Sequence, residues 1–281
     1  ETALDELQRL AAAYNSENLK IDTLKVFFDG VVETRTAHML QNYDDTPGNR
    51  GGSLFGVGTL TKLVVDLDQA GFNLHVHALG DQSSRTVLDA VEDLIGPDLL
   101  CWNTLFWIKE ANSGSFVSWH QDLRYWGLDT ADLVSVWLAL SPASLESGCM
   151  RVLPGSHQGE LLPHKDEYAD GNLLTRGQEI AVDVDEHKTV AMPLKPGEIS
   201  LHNVRLAHAS SPNQSADRRI GLSLHYMPTK SKQVVGEWDS AALVRGEDHY
   251  GHFKHAPQPS KDFDPVAVEF HRQATDAVRE I

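Results

Sequence analysis

The chain has 281 residues, of which 41% are hydrophobic and 23% charged, a balance typical of a globular protein with one large or two ordinary domains. Its formal net charge of −16 argues against a nucleic-acid partner, because phosphate binding needs a basic surface. The sequence contains neither a membrane span nor a signal peptide pattern, so we expect a cytoplasmic protein with a small-molecule substrate and no membrane partner. Cys101 and Cys149 are expected to be reduced thiols, and the oligomeric state is not indicated.

Residues 1–93 alternate between helical and strand patterns. Strands are predicted at residues 21–28 and 72–78, and a helix at residues 83–94. Between the strands lies a helical stripe that ends at Gly71. This order predicts βαβ units around a parallel sheet. Two helices are predicted from leucine and valine residues that recur at helical spacing. They are Leu4, Leu7 and Leu10 in a first helix, and Leu60, Leu63, Val64 and Leu67 in the helix between the strands.

From about residue 94 the pattern changes to short strands separated by Pro and Gly, which predicts an antiparallel barrel or sandwich. The expected architecture is therefore α+β, with domains at 1–93 and 94–281 that meet inside a helical run at 88–93. Asp264-Pro265 begins a final helix through about Arg279, with Val266, Phe270 and Val278 on one side. The predicted strands cover residues 105–109, 133–140, 149–153, 189–193, 198–208 and 219–227.

His120 and Asp122 are separated by one residue, so on an extended segment their side chains leave the same face. An imidazole and a carboxylate with a second, distant imidazole form the ligand set of a non-haem iron(II) centre with three open positions. The distant ligand must come from His202, His208 or His225. We favour His208, at the end of its strand, and interpret His202 as a wall residue because a continuous strand would separate the two by roughly 20 Å. His225 remains the reserve candidate.

The segment 219–226 alternates polar and aliphatic residues, which predicts that Arg219 faces a lumen while Arg218 faces outward. A buried guanidinium needs an anion, and its two-point geometry suits a dicarboxylate. The alternative is a structural arginine paired with a buried acid. Trp137 is predicted to face the same cavity or to be an ordinary core aromatic, and His157 lies in a turn and is not expected to bind metal.

Several of these motifs together resemble the phytanoyl-CoA dioxygenase family of iron(II)/2-oxoglutarate oxygenases. The resemblance implies a double-stranded β-helix (jelly roll) from about residue 94, with Fe(II), 2-oxoglutarate and O₂ as cofactor and cosubstrates. Because Asp122 is present, where related halogenases lack the carboxylate, it implies hydroxylation. The motifs are Trp119-His120-Gln121-Asp122, Trp137, residues 148–157, Lys195-Pro196-Gly197-Glu198, and residues 208–213 with Ser215 and Arg219.

The resemblance also assigns roles to individual residues. His120, Asp122 and His208 would hold the metal, and Arg219 would bind the far carboxylate of 2-oxoglutarate. Ser210 and Asn103 would assist that carboxylate, and Trp137 would line the pocket. The residues that select the substrate are expected in the loops 125–132 and 162–178.

Residues 1–93 resemble a different family, the metal-dependent amidohydrolases with a (β/α)₈ barrel. In that family the histidine matching His77 is a metal ligand, but the paired histidines of the first barrel strand have no counterpart here. The resemblance leaves two alternatives open: a metal-dependent hydrolase in the N-terminal part, and an inactive metal-binding barrel that lacks the N-terminal half of the oxygenase. The segments concerned are 25–30, 33–37, 47–51 and 75–81.

Overall fold

The computed structural model describes residues 2–16, 21, 23–32, 34–78, 80–174 and 177–278. Within these residues helices and short strands form the mixed α+β protein that the sequence predicts. The helices are α1 (Ala3–Tyr14), α2 (Val57–Gln69), α3 (Asp81–Ile95), α4 (Leu123–Trp126) and α5 (Pro265–Val278). The strands are β1 (Thr23–Phe27), β2 (Asn73–His77), β3 (Leu99–Lys109), β4 (Val117–His120), β5 (Val134–Ala139), β6 (Met150–Val152), β7 (His164–Asp166), β8 (Gln178–Ile180), β9 (Val190–Met192), β10 (Glu198–Asn203), β11 (His208–Ser210), β12 (Arg219–Pro228), β13 (Ser240–Arg245) and β14 (Lys254–His255).

The N-terminal residues contain the predicted βαβ unit. Strands β1 and β2 pair in parallel, and α2 connects them. The helix buries Leu60, Val64 and Leu67, which recur at helical spacing and so lie on one face. Gly71 follows the helix with a φ of 75°, a conformation that glycine adopts without steric cost.

Strand β2 joins this unit to the rest of the chain. It pairs antiparallel with β10, so Ile199 lies opposite Val76 in one continuous sheet. The predicted boundary near residue 93 falls inside α3, and the hydrophobic cluster around α2 and β2 includes Val136 and Tyr226 from beyond that boundary. The described residues on the two sides therefore share a sheet and a core, while the division into domains 1–93 and 94–281 stays a prediction.

Two sheets form the framework of the site. In the described part of the chain the larger sheet has eight strands, in the order β1-β2-β10-β5-β12-β3-β13-β14, and the smaller has the order β4-β11-β6-β9. Pairs other than β1 with β2 and β13 with β14 are antiparallel, as predicted for the later part of the sequence. A core cluster joins Trp137 and Ala139 of the larger sheet to Met150 and Val152 of the smaller one, so the sheets pack against each other.

The predicted strand over residues 198–208 is wrong in one respect. The chain forms β10, leaves the larger sheet in a turn after Asn203, and begins β11 in the smaller sheet at His208. Backbone hydrogen bonds within the turn, such as Leu206 N–H to the Asn203 carbonyl at 2.9 Å, stabilise this change of direction. The turn changes the distances among the candidate histidines.

The C-terminal helix begins as predicted. The Asp264 carboxylate accepts a hydrogen bond from the Val266 N–H at 3.0 Å, which caps the helix before Pro265. Val266, Phe270 and Val278 recur every four or eight residues of this helix and so share one side, as predicted; the buried Ala274 lies on the same side, while Val266 is 68% exposed. Phe270 packs against Trp238 with ring centroids 6.3 Å apart. The predicted end at Arg279 lies outside the described residues.

Two expectations from composition can be compared with the described residues. Cys101 and Cys149 are free thiols, as predicted. Among the described residues there is no helix whose length and apolar character would let it cross a membrane.

Candidate active site

Three potential metal ligands meet at the end of the smaller sheet. His120 is the last residue of β4, His208 is the first of β11, and the two lie directly opposite each other in the antiparallel pair. Cross-strand neighbours project to the same face, and here the ring centroids are 4.1 Å apart. Asp122 was predicted to be extended. Instead it directly precedes α4 and has helical backbone angles, with φ −53° and ψ −47°. This turn brings its carboxylate back toward the two rings.

The donor atoms of the three side chains point toward one another. Asp122 Oδ1 lies 3.3 Å from His120 Nε2 and 4.0 Å from His208 Nε2, and the three ligand atoms lie within 4.8 Å of one another. The Nδ1 atom of each ring is 2.9 Å from a backbone carbonyl, that of Ser118 for His120 and that of Leu206 for His208. An Nδ1–H that donates to a carbonyl leaves Nε2 unprotonated, so both rings offer a lone pair to a metal.

Burial and neighbouring groups shift the pKa values of His208 and Asp122. Burial lowers the pKa of His208 to about 4, so that the imidazole is neutral at pH 7. For Asp122, burial acts to raise the pKa, but interaction with the neighbouring imidazoles outweighs it, and the pKa of the carboxyl lies below its usual range. Two neutral nitrogens and one anionic oxygen, with no thiolate, suit iron(II) and leave open positions around it. The residues present therefore fit the predicted metal.

His202 lies much closer to His208 than predicted, with ring centroids 5.1 Å apart. The estimate of roughly 20 Å assumed one continuous strand and was wrong, because the turn after β10 places the two residues in different sheets. His202 Nδ1 is buried without a hydrogen-bond partner among the described residues, and burial lowers the pKa of this side chain to about 3. Among the described residues His202 does not belong to the group of converging ligands, in agreement with its predicted place in the wall.

His225, the reserve ligand, also lies outside that group in the described part of the chain. It is buried on β12, and its Nδ1 is 3.0 Å from the Ser135 hydroxyl. Burial lowers the pKa of His225 to about 4, so it is a neutral polar group at pH 7.

Arg219 and Arg218 face opposite sides of β12, as predicted. Arg219 is 2% exposed, whereas Arg218 is exposed and forms an ion pair with Glu110 at 2.6 Å. Burial lowers the pKa of Arg219 to about 10, so the guanidinium stays charged at neutral pH. Its Nε and Nη2 are buried without hydrogen-bond partners among the described residues, which argues against the alternative of a structural pair with a buried acid. A buried cation in this state is costly unless an anion binds to it.

The indole of Trp137 lies beside this guanidinium. The Arg219 Cζ is 5.3 Å from the ring centroid, and the buried Trp137 lines the cavity as predicted. The ring crosses the backbone of Gly221, where an added Cβ would come within 2.0 Å of the indole Cζ2. Glycine at this position therefore allows the ring to lie where it contacts Arg219.

Lys109 is a site residue that the sequence argument missed. It lies opposite Arg219 in the pair of β3 and β12 and is fully buried. Its Nζ donates to the Ser210 hydroxyl at 2.6 Å and to the carbonyls of Ser210 and Ser211 at 3.1 and 2.5 Å. Burial, together with the nearby Arg219 charge, lowers the pKa of Lys109 to about 7. Ser210 thus lies beside Lys109, on the side of the cavity near Arg219, which we call the arginine end; its hydroxyl already accepts a hydrogen bond from Lys109, and its role toward the carboxylate stays a prediction.

The predicted site residues line one cavity of about 520 Å³, but they do not all meet. Asn103 lies opposite His225 and six residues along β3 from Lys109, which is roughly 20 Å of strand. The structure therefore does not bring Asn103 to the Arg219 guanidinium. His77 is the last residue of β2. Its side chain lies outside the part of the protein that the structure describes, so its metal-binding role stays a prediction. The predicted residues that line the cavity are Asn103, His120, Asp122, Trp137, His208, Ser210 and Arg219.

A family comparison agrees with this geometry. The profile of the phytanoyl-CoA dioxygenase family (PhyH) matches residues 4–221, more than half of the chain. The chain belongs to this family. It is a family of iron(II)- and 2-oxoglutarate-dependent oxygenases, and the converging ligands and the buried guanidinium fit these cofactors. The match begins at residue 4, so it includes the segment that resembles an amidohydrolase.

Several curated proteins are similar in sequence. A probable phytanoyl-CoA dioxygenase of Caenorhabditis elegans is 30% identical over 147 residues, covering 50% of this chain and 47% of that protein. The peroxisomal enzyme of Homo sapiens is 32% identical over 145 residues, covering 50% and 43%. A probable alpha-ketoglutarate-dependent hypophosphite dioxygenase of Stutzerimonas stutzeri is 29% identical over 157 residues, covering 54% of each chain. The chain spans about half the length of these curated relatives.

The similarity to solved structures extends over more of the chain. The non-heme monooxygenase ThoJ in its apo form is 35% identical with a TM-score of 0.61, covering 79% of this chain and 85% of that one. The same protein, solved as a nickel complex, is 31% identical with a TM-score of 0.56 over the same shares. The shared fold is consistent with the predicted jelly roll.

Proposed function

We propose that this protein is an iron(II)- and 2-oxoglutarate-dependent dioxygenase that hydroxylates a C–H bond of a small organic molecule or acyl conjugate. The observation that carries the proposal is the position of two features in one cavity: the converging His120, Asp122 and His208, and the buried guanidinium of Arg219 without a protein partner among the described residues. Three converging metal ligands alone would be compatible with many reactions. The added cation selects an anionic cosubstrate.

The proposed cosubstrate matches Arg219 in charge and shape. A carboxylate accepts two parallel hydrogen bonds from a guanidinium, and Nε and Nη2 of Arg219 are the two atoms that lack partners among the described residues. The indole of Trp137 limits the space beside the guanidinium. A dicarboxylate held here by one end would extend its other end toward the metal ligands that line the same cavity.

The protein side chains would have three tasks in this reaction. His120, Asp122 and His208 would hold the iron, Arg219 would orient the cosubstrate, and the buried walls would exclude water. The iron, with 2-oxoglutarate and O₂, supplies an oxidative decarboxylation that releases succinate and CO₂ as the substrate is hydroxylated. Asp122 fills the carboxylate position of the metal site, which favours hydroxylation over halogenation.

The test is aerobic succinate release that requires both added iron(II) and 2-oxoglutarate. We expect Asp122→Ala to abolish it, because the site loses the carboxylate among its three converging ligands. Asp183→Ala removes an exposed carboxylate outside the cavity and serves as the matched control, with succinate release expected to stay unchanged. Equal activity in Asp122→Ala and the unmodified protein would refute the proposal.

Binding and hydrolysis measurements on the same variants distinguish the alternatives that the sequence left open. Iron binding without 2-oxoglutarate affinity would identify a non-catalytic barrel. A hydrolase would keep its activity in Asp122→Ala and Arg219→Ala and lose it in His77→Ala. The family match and the ThoJ similarity give that hydrolase no support.

A further inference from the structure

One end of the cavity is bounded by aromatic rings, and we call Trp102, Trp126 and His225 the aromatic end. The centroids of Trp102 and Trp126 are 5.0 Å apart, and those of Trp126 and His225 are 4.5 Å apart at an interplanar angle of 67°. All three residues line the cavity that contains the metal ligands. The aromatic end does not include the arginine, because His225 lies six residues along β12 from Arg219.

A break in strand pairing places Trp102 in this group. Asn103 pairs with His225 and Cys101 pairs with Tyr226, so Trp102 is the extra residue of a β-bulge. A bulge redirects a side chain that would otherwise alternate to the opposite face of the sheet. Trp102 and its neighbour Asn103 therefore both line the cavity. The bulge adds a large ring to the cavity wall at the aromatic end.

Hydrogen bonds fix the Trp102 ring, the His225 ring and the backbone of Trp126. The Trp102 Nε1–H donates to the buried Asp239 carboxylate at 2.7 Å. Gln233 donates to the same carboxylate at 3.1 Å and to the Trp126 carbonyl at 3.0 Å. His225 Nδ1 lies 3.0 Å from the Ser135 hydroxyl. The aromatic end therefore presents fixed rings to a ligand, with the indole N–H of Trp102 already bonded.

The cavity offers no spare charge to a substrate. Apart from its histidines and the phenol of Tyr125, the described residues that line it include two ionisable side chains, and both already have a role: Asp122 faces the metal site and Arg219 faces the cosubstrate. Lys109 lies behind Ser210, with its Nζ bonded to three oxygens. Burying a phosphate or carboxylate of a substrate without a partner is unfavourable. Asn103 can still bind a neutral hydroxyl or carbonyl.

From these observations we propose that the substrate places an uncharged aromatic ring system against Trp102, Trp126 and His225. The proposal rests on the proposed function, because that function assigns Asp122 and Arg219 to the metal and the cosubstrate. Stacking and edge contacts between rings add to the burial of apolar area and favour a flat ligand here. The cavity of about 520 Å³ also holds the cosubstrate, so the part of the substrate inside it is small.

The test uses two probes that share one ring system and differ in charge: 2-naphthalenemethanol, which is neutral, and 2-naphthoate, which is anionic. Each is titrated calorimetrically into the full chain loaded with nickel(II) and 2-oxoglutarate. We expect the neutral probe to bind at least about tenfold more tightly. Equal or tighter binding of the naphthoate, or no binding of the neutral probe, would overturn the proposal.

Variants locate the binding of the neutral probe. Trp126→Ala should weaken it at least about tenfold, and Trp126→Phe, which keeps a ring, should recover most of that loss. Trp238→Ala is the matched control, because Trp238 packs against α5 and does not line this cavity. Equal weakening in Trp238→Ala and Trp126→Ala would count against the aromatic end.

The two proposals can fail separately. Nickel(II) and 2-oxoglutarate binding are measured first, and their absence refutes the proposed function. The neutral probe is then titrated into the chain without nickel(II) or 2-oxoglutarate, where its dependence on Trp126 should persist. Loss of that dependence, with nickel(II) and 2-oxoglutarate binding intact, refutes the aromatic substrate alone.

Discussion

Lys109 and Arg219 lie opposite each other across the β3 and β12 pair, and both side chains are buried. Two like charges facing each other across strands repel, and burial increases the cost because little water screens them. Lys109 finds three oxygen acceptors, whereas Nε and Nη2 of Arg219 find none among the described residues. A bound dicarboxylate would relieve the repulsion and complete the hydrogen bonds of Arg219.

Replacing Arg219 by lysine should therefore weaken 2-oxoglutarate binding even though the charge is kept. Lysine cannot form the two parallel hydrogen bonds of a guanidinium, and hydrogen bonds to charged groups contribute about 1.5–3 kcal/mol. We expect a dissociation constant for 2-oxoglutarate roughly 10- to 100-fold higher, measured by calorimetry on the nickel(II)-loaded protein. Arg218→Lys is the control on the exposed side of the same strand. Similar effects of the two variants would contradict the assigned role.

His208→Ala and His202→Gln should separate the metal ligands from the wall of the cavity. The His208 ring offers Nε2 to the cluster, so its loss should reduce nickel(II) affinity at least about 100-fold. His202 lies close by but outside the converging group, and its variant should keep the affinity within about threefold. Nickel(II) titration followed by calorimetry measures both values. A large loss in His202→Gln would instead indicate a fourth protein ligand.

Gly221→Ala should destabilise the fold and disturb the arginine end of the cavity together. The new Cβ would meet the Trp137 indole at 2.0 Å, so the ring or the strand must shift. Overpacking of this kind costs about 1–3 kcal/mol. Urea denaturation should detect the loss, and 2-oxoglutarate affinity should fall because Trp137 contacts Arg219. Gly159→Ala, where a Cβ would meet nothing within 4 Å, should change stability by less than about 0.5 kcal/mol.

Periodicity was sufficient to predict the parts of the site that depend on one strand. The alternation through 219–225 placed Arg219 inside and Arg218 outside, and both placements are confirmed. Chain reversals were harder to predict from the sequence, because the turn after Asn203 contains neither Gly nor Pro and residues 198–208 resemble a single strand. That turn brings His202 and His208 together, a contact that strand geometry alone excluded.

The sequence did not indicate which residues of different strands lie side by side. A lysine at the end of a strand is usually exposed, and only the register with β12 makes Lys109 the buried neighbour of Arg219. The same register puts Asn103 beside His225, away from the carboxylate site that the family resemblance implied. The βαβ pattern of the N-terminal residues was predicted correctly, but the antiparallel pairing of β2 with β10 depends on contacts far apart in sequence.

The protonation of Lys109 should depend on both folding and cosubstrate binding. Its pKa in the folded protein is about 7, below its usual value of 10.5, because burial and Arg219 disfavour the charged form. Between these two values the unfolded chain binds more protons than the folded protein. The contribution of Lys109 to the free energy of unfolding therefore increases as the pH rises through this window and is smallest below it.

A carboxylate bound at Arg219 should reverse this shift, because a nearby anion raises the pKa of an amine. At pH 8 Lys109 is largely neutral in the free protein, so 2-oxoglutarate binding should take up a large part of one proton. At pH 6 Lys109 is already protonated and the uptake should be close to zero. Calorimetry of the nickel(II)-loaded protein in phosphate and Tris buffers, which differ in ionisation enthalpy, measures the protons exchanged. Lys109→Met should abolish the uptake at pH 8, and an unchanged uptake in that variant would assign the proton to another group.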